Sequence, residues 1–277
     1  KNLPDRIRFS ISQNFQYNRK YEDKQMNTVQ VKNTVIGEGR PKICVPIVGR
    51  TKTDILEEAK KITTLPVDVV EWRVDWFDDV FATEKVLETA KELQEVLKDI
   101  PVLLTFRTSK EGGEKEISVN DYAALNIAAA QSGYVDLIDV EAFTGDDVVK
   151  TIIDAAHKAG VKVIASNHDF FKTPSENEIL SILKQMEEAG ADIAKIAVMP
   201  ESTEDVLTLL SATCKAKKEL TCPVITMSMA GTGLISRLSG EVFGSCLTFG
   251  TAGNISAPGQ IDALKLRSVL HILHENS

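Results

Sequence analysis

The sequence predicts an α/β fold, a single-domain (β/α)₈ TIM barrel with an N-terminal β-hairpin. Three observations carry that reading. Eight short apolar runs recur from residue 42 onward, and the repeated unit is such a run, a loop and an amphipathic helical pattern. Most of the runs are apolar at nearly every position, as strands are when both faces of a parallel sheet are covered. Eight such units within residues 26–277 match the size of an eight-stranded α/β barrel.

The elements follow in order. Residues 28–33 and 34–36 alternate and end at Gly37-Glu38-Gly39, which reads as a hairpin able to cap one end of the barrel. The strands are read at 43–48, 67–74, 102–106, 135–140, 161–165, 193–198, 224–227 and 246–249. Thr53-Asp54 opens the first helix, while Ser118 with Asp121 and Ser175 with Glu178 form capping-box patterns for the third and fifth. Gly133, Gly160 and Gly190 each fall between a helix and the next strand, where a stop is expected. Within 175–190, Ile179, Ile182, Leu183 and Met186 recur at helical steps and define one apolar face. A doubly wound open sheet would carry a Gly-rich fingerprint after its first strand, and here only Val48-Gly49-Arg50-Thr51 follows. No linker breaks the alternation, so 26–277 is read as one barrel catalytic domain. Residues 1–25 are polar, lack an apolar signal-peptide region and are read as a leader or disordered arm.

Bulk composition narrows the function. The chain has 277 residues, 43% hydrophobic and 26% charged, an ordinary globular balance. A net charge of −8 argues against a nucleic-acid partner, yet a few convergent arginines could still hold a small anion. Cys44, Cys214, Cys222 and Cys246 show no metal or redox spacing and sit in or beside apolar runs. Free thiols in a reducing compartment, the cytoplasm, are expected. No apolar run reaches the roughly 18 residues of a membrane span, so no membrane partner is expected.

In such barrels chemistry gathers at the C-terminal strand ends, so ionisable residues there are the informative ones. The second strand ends Glu71-Trp72-Arg73, whose two charges point to one side by strand alternation. The third leads to Arg107 and Glu111, the fourth carries Asp139 and Glu141, and the fifth runs into Asn167-His168-Asp169. The seventh leads through Gly231 and Gly233 to Arg237. The sixth holds Lys195 between apolar neighbours. Among cations such as Arg73 and Arg107, its charged form should be disfavoured, which would suit a nucleophilic amine. The alternative is a lysine that snorkels to the rim or pairs with a structural carboxylate. His168 is one of four histidines; the other three, His157, His271 and His274, fall in helical, solvent-facing positions. It reads either as an acid/base group or as structural. Glu71, Glu111, His168 and Asp169 lack the spacing of a metal-ligand set, so no metal is expected.

At these residues the sequence resembles the class I 3-dehydroquinate dehydratases. The match begins with Val35-Ile36-Gly37-Glu38-Gly39, Pro41-Lys42-Ile43 and Glu71-Trp72-Arg73-Val74-Asp75. It continues through Thr105-Phe106-Arg107-Thr108, Glu111-Gly112-Gly113, Asp139-Val140-Glu141 and Ser166-Asn167-His168-Asp169-Phe170. Lys195-Ile196-Ala197, Met227-Ser228-Met229, Ser236-Arg237, Phe249-Gly250 and Ser256-Ala257-Pro258-Gly259-Gln260 complete it. Joint order at successive strand ends makes the resemblance specific. One departure is Ala230, where the family usually has Gly after Ser-Met, a change that should shift a local turn.

The resemblance implies a cofactor-free hydro-lyase of the shikimate pathway that dehydrates 3-dehydroquinate to 3-dehydroshikimate through a lysine Schiff base. It implies Lys195 as the imine-forming residue, His168 as the proton-transfer group and Glu111 as the residue that holds the imidazole. Arg237 is implied as the substrate-carboxylate ligand, and Glu71, Arg73 and Arg107 as hydroxyl-recognition residues. Ser256 and Gln260 lie on the loop 251–260, similar to a lid in the family. A homodimer is implied as well. A class I sugar-phosphate aldolase would share Lys195 but needs a phosphate site after the seventh and eighth strands. A non-catalytic barrel would have lost one or more of Lys195, His168 and Glu111.

Overall fold

The β-branched runs form strands because they are covered on both sides, by helices outside and by each other across the barrel axis. The computed structural model of the chain describes residues 28–253 and 259–276. The segment 1–25 and Ser256 therefore lie outside the described residues. After a hairpin of β1 (Val29–Val31) and β2 (Thr34–Ile36), the barrel strands are β3 (Lys42–Ile47), β4 (Val69–Arg73), β5 (Val102–Thr105) and β6 (Leu137–Glu141). They continue as β7 (Lys162–Asp169), β8 (Ile193–Val198), β9 (Val224–Ser228) and β10 (Leu247–Thr251). All pair in parallel, in the order β10-β3-β4-β5-β6-β7-β8-β9. The eight sequence-read strands are thus all present, with β7 reaching further than expected, to Asp169.

The closing seam has a special construction. Near its base the Cys246 N–H donates to the Val224 carbonyl at 2.9 Å. Higher up, a two-residue strand that the sequence reading did not foresee, β11 (Ile261–Asp262), pairs in parallel with Gly250 and Thr251 of β10. This places Gln260, just ahead of β11, at the mouth. The turn after β9 meets the same segment: a β-carbon on Gly259 would fall 2.6 Å from the Ala230 carbonyl oxygen. Ala230 itself has φ +56. Position 230 thus carries a residue that tolerates the left-handed region poorly, where the resemblance implies glycine.

Helices α1 (Lys52–Ile62), α2 (Thr83–Leu97), α3 (Val119–Gln131), α4 (Asp146–Lys158), α5 (Glu176–Glu188) and α6 (Thr203–Glu219) follow successive strands. Short α7 (Leu234–Leu238) and α8 (Gly240–Phe243) separate β9 from β10, and α9 (Ala263–Glu275) ends the ring. No described helix is long and apolar enough to cross a membrane. Two start signals need correction. The cap of α1 is Thr51, which forms a full box with Asp54 because Thr53 is already inside the helix. Ser118 accepts from the Asp121 N–H and its hydroxyl donates to the Asp121 carboxylate, but the reciprocal bond from the Ser118 N–H is not made. Ser175 and Glu178 form the complete box.

Strand alternation sorts side chains into two environments. Outward residues such as Trp72, Leu104, Ile138 and Val163 pack beneath α1–α4, and Ala194, Ile196 and Val198 beneath α5 and α6. Inward residues Val69, Leu103, Leu137, Ile164, Ile193, Ile225 and Leu247 fill the lower barrel, where Val29, Val31 and Ile36 of the hairpin join the same cluster. The hairpin therefore plugs the N-terminal end. Each such buried aliphatic side chain contributes about 1.5–3 kcal/mol, so this floor is a major part of the core.

A repeated clamp fixes the register below the floor. Asp68, Asp136 and Asp192 precede β4, β6 and β8. Each donates its N–H to the carbonyl of Ile43, Val102 or Val163 on the preceding strand, at 2.9–3.0 Å. Each carboxylate accepts the N–H of that same residue at 2.7–2.9 Å. A cation neutralises each one: Arg267, Lys32 and Lys162 respectively.

Candidate active site

At the opposite end, the same inward alternation produces a polar layer. Above Val69 come Glu71 and Arg73, above Leu137 come Asp139 and Glu141, above Ile164 come Ser166 and His168, and above Ile193 come Lys195 and Ala197. Glu71, Arg73, Arg107, Glu111, His168, Lys195, Arg237 and Gln260 line one cavity. Gly112, Phe170, Ala197, Met227, Met229 and Phe249 complete its wall. Of the sequence-read site residues, only Ser256 is not among the lining, since it lies outside the described residues.

Lys195 lines the cavity and is only 3% exposed. Its surroundings correct the expectation of a purely cationic neighbourhood. Nζ lies 3.2 Å from Asp139 Oδ2 and 4.8 Å from the centre of the Phe249 ring. The amine is therefore paired with a carboxylate, the alternative that the sequence left open, yet it is still aimed into the cavity. Burial would raise the Asp139 carboxyl, but Arg107, Lys195 and the Ser166 hydroxyl outweigh burial and hold it below its ordinary value.

Arg107 organises the layer. Nη2 donates to Asp139 Oδ1 at 2.7 Å, and Nη1 to Glu141 Oε1 and Ser166 Oγ at 3.0 Å each. Burial opposes its charge, but Asp139, Glu141 and Glu111 more than offset this, and its pKa is raised. Arg73 is held bidentately by Asp75, at 2.8 and 2.7 Å. Glu71 accepts from Thr105 Oγ1 at 2.9 Å. Buried charges survive only when paired and hydrogen-bonded in this way.

His168 and Glu111 form a second unit. Glu111 Oε2 lies 2.9 Å from His168 Nδ1 and also accepts the His168 backbone N–H at 3.0 Å, while Oε1 accepts from Asn167 Nδ2 at 3.3 Å. Burial first, then Arg107, Lys195 and Arg73, pushes the imidazole well below its usual value, so it is neutral at pH 7. Burial raises the Glu111 carboxyl to about 7. With Nδ1 turned to Glu111, Nε2 is the nitrogen left for a ligand. Among the described residues no group of three or more His, Cys, Asp or Glu side chains is arranged to hold a metal ion.

Arg237, on α7, is 2% exposed, with Nη1 3.8 Å from Met227 Sδ. Burial pulls its pKa down to about 10, so an anion arriving at the cavity would repay lost hydration. The sequence reading did not assign Asp139, Ser166 or Asp75 to the site. The visible signal was the Asp139-Val140-Glu141 alternation, two inward carboxylates on one strand.

The Type I 3-dehydroquinase family model matches residues 43–277. A 3-dehydroquinate dehydratase of Clostridium botulinum is 56% identical over 249 residues, covering 90% of this chain and 98% of that protein. One from Listeria monocytogenes is 55% identical over 250 residues, covering 90% and 99%. A solved type I enzyme from Clostridium difficile, carrying covalently modified comenic acid, is 54% identical, with a TM-score of 0.89 over 91% of this chain and all of its own. A Geobacillus kaustophilus 3-dehydroquinate dehydratase, 39% identical, also reaches a TM-score of 0.89 over 92% of this chain and 99% of its own. The chain belongs to the type I 3-dehydroquinase family.

Proposed function

We propose that the chain dehydrates 3-dehydroquinate to 3-dehydroshikimate through an imine between Lys195 and the substrate ketone. The observation that carries this is the buried, inward amine of Lys195 sharing one cavity with the His168–Glu111 pair and Arg237. Arg237 takes the substrate carboxylate, and the hydroxyls meet Glu71, Arg73, Arg107, Ser256 and Gln260.

The chemistry then balances as follows. Lys195 gives up a proton and attacks the carbonyl carbon; the resulting hydroxyl takes a proton and leaves as water. The nitrogen is then positive as an iminium, and Asp139, which lies beside the amine from the start, stabilises that charge. The iminium withdraws electrons from the adjacent carbon, so neutral His168 removes a proton there through Nε2. The enamine electrons then expel the hydroxyl, which His168 protonates as it departs. Water hydrolyses the conjugated iminium, releasing the product and restoring Lys195. Acid/base help of this kind supplies about 10²–10⁴ in rate. Glu111 fixes the tautomer that frees Nε2.

Purified protein should raise enone absorbance with 3-dehydroquinate and leave a sugar phosphate intact. Inertness toward 3-dehydroquinate would reject the reading, and cleavage of the sugar phosphate would favour an aldolase. Residues 26–277 are further inferred to act as one catalytic domain, as a homodimer in a reducing cytoplasm. Free thiols, with Cys44, Cys222 and Cys246 buried, support the compartment, and family resemblance supports the dimer. Light scattering on eluting protein tests the latter.

A further inference from the structure

We propose that the Phe170 ring, seated over the bare α-carbon of Gly112, is the positioning element that keeps Glu111 on His168. The inference rests on the reading of His168 and Glu111 given above and adds two residues to it.

Glu111 and His168 come from segments that follow or end strands that are not neighbours in the sheet, since β6 separates β5 from β7. Glu111 ends a single turn of 3₁₀ helix, Ser109–Glu111, and Gly112 follows it with φ +82. His168 lies near the end of β7, with Phe170 two residues on. Three polar links across the gap end on the Glu111 carboxylate, from His168 N, His168 Nδ1 and Asn167 Nδ2. Water at the mouth could replace each of them. The contact between the loops that water cannot replace is apolar. A β-carbon on Gly112 would overlap Cε2 of Phe170 and fall 2.5 Å from Cζ. Any other residue at 112 therefore displaces the ring, besides adopting an unfavourable φ.

Both halves of the contact are anchored. Behind Gly112, the Gly113 N–H donates to the Thr108 carbonyl at 2.8 Å, and a β-carbon on Gly113 would overlap the Arg107 carbonyl oxygen. This folds the loop back on its own strand. Beyond His168, the Asp169 carboxylate accepts the Phe171 and Lys172 N–H groups at 2.9 and 3.0 Å, turning the chain so that Phe170 points inward while Phe171 stays exposed. Phe170 packs against the apolar cluster of the barrel interior. The ring thus presses one loop onto the other beside the carboxylate–imidazole contact. The charged groups that also face His168 are Glu111, Arg107, Lys195 and Arg73, and none of them is altered by a change at 170.

The test uses Phe170→Ala and Gly112→Ala in the whole enzyme, with Phe170→Leu as the milder variant should either fail to fold. Without substrate, the His168 imidazole should titrate closer to the ordinary histidine value of about 6.5 in the Ala variants, read by NMR of the ring. The three other histidines, on exposed helix positions, serve as controls. With substrate, kcat should fall about 10–100-fold while borohydride still traps an adduct on Lys195. The double variant should be no worse than the more damaged single one, since both remove the same contact. Phe170→Leu should recover most of kcat. A His168 titration unchanged in Phe170→Ala, or a raised KM with kcat intact, overturns the proposal and leaves Phe170 as cavity wall. Full activity of His168→Ala would instead overturn the catalytic reading, while the substrate-free titration still judges the contact.

Discussion

Asp139 Oδ2 stands 3.2 Å from Lys195 Nζ, with both side chains sealed from solvent and 56 residues apart in the chain. Arg107 and Ser166 hold the other carboxylate oxygen at 2.7 and 2.6 Å, so Asp139 cannot swing away from the amine. The lysine amine is thus held beside a fixed carboxylate before any ligand arrives.

Asp139→Asn removes that placement. It leaves two buried cations facing a neutral amide, and breaking a buried ion pair costs about 3–5 kcal/mol. Melting should occur at a clearly lower temperature. The rate of borohydride-trapped adduct formation should also fall at least about tenfold, because the iminium loses its counter-charge. Rapid-quench mass spectrometry reads the second effect, and an unchanged trapping rate would remove Asp139 from the mechanism.

A pH dependence follows from the His168–Glu111 pair. Burial raises Glu111 to about 7 and lowers His168 well below 6.5. As pH falls through about 7, a proton enters the pair on the carboxyl, which then accepts from Nδ1–H more weakly and can donate to Nδ1 instead, so the reactive tautomer is depleted. kcat/KM should therefore drop below pH 7 in the unaltered enzyme. Glu111→Gln should lower the plateau and shift the acid limb to lower pH. A limb that stays near 7 in that variant would assign it to another group.

Arg237 offers a test of substrate polarity. Arg237→Ala should raise KM about 10–100-fold, the loss expected for charge-assisted hydrogen bonds of about 1.5–3 kcal/mol. Arg237→Lys keeps charge but not the two-pronged geometry and should recover only part of that loss. Steady-state kinetics distinguish this from a kcat effect, which would place Arg237 in the chemical step.

Ala230 bears on stability alone. Its φ of +56 costs roughly 1–2 kcal/mol for a residue with a β-carbon, and glycine would remove that cost while adding unfolded-state entropy worth about 0.4–1 kcal/mol. Ala230→Gly should raise the melting temperature by roughly 1–3 °C, as seen by calorimetry, with kcat unchanged. A lower melting temperature would mean that the Ala230 methyl group packs better than its backbone suffers.

The barrel was legible because its strands and helices have periods, and a period survives in a single sequence. The polar lining was legible for a related reason: Glu71, Arg107, His168, Lys195 and Arg237 interrupt or end apolar runs, where a charge costs too much to be incidental. Pairings were not legible. Asp139 was visible as an inward carboxylate, but nothing local says that the strand opposite it carries Lys195. Asp68 and Asp136 fall inside the strands read at 67–74 and 135–140, and Asp192 just ahead of the run at 193–198, so nothing in the sequence set the three apart as one device. Their clamp appears only when neighbouring strands are laid side by side. β11 is two residues long, too short for any period to be read. The Phe170–Gly112 contact joins two motifs that the sequence keeps 58 positions apart.

The most direct measurement is intact and peptide mass after borohydride reduction in the presence of 3-dehydroquinate. The mechanism predicts one stable adduct per chain, mapped to Lys195 and absent from Lys195→Ala, which should also lose turnover. Turnover persisting in Lys195→Ala, or an adduct on a different lysine, would contradict it.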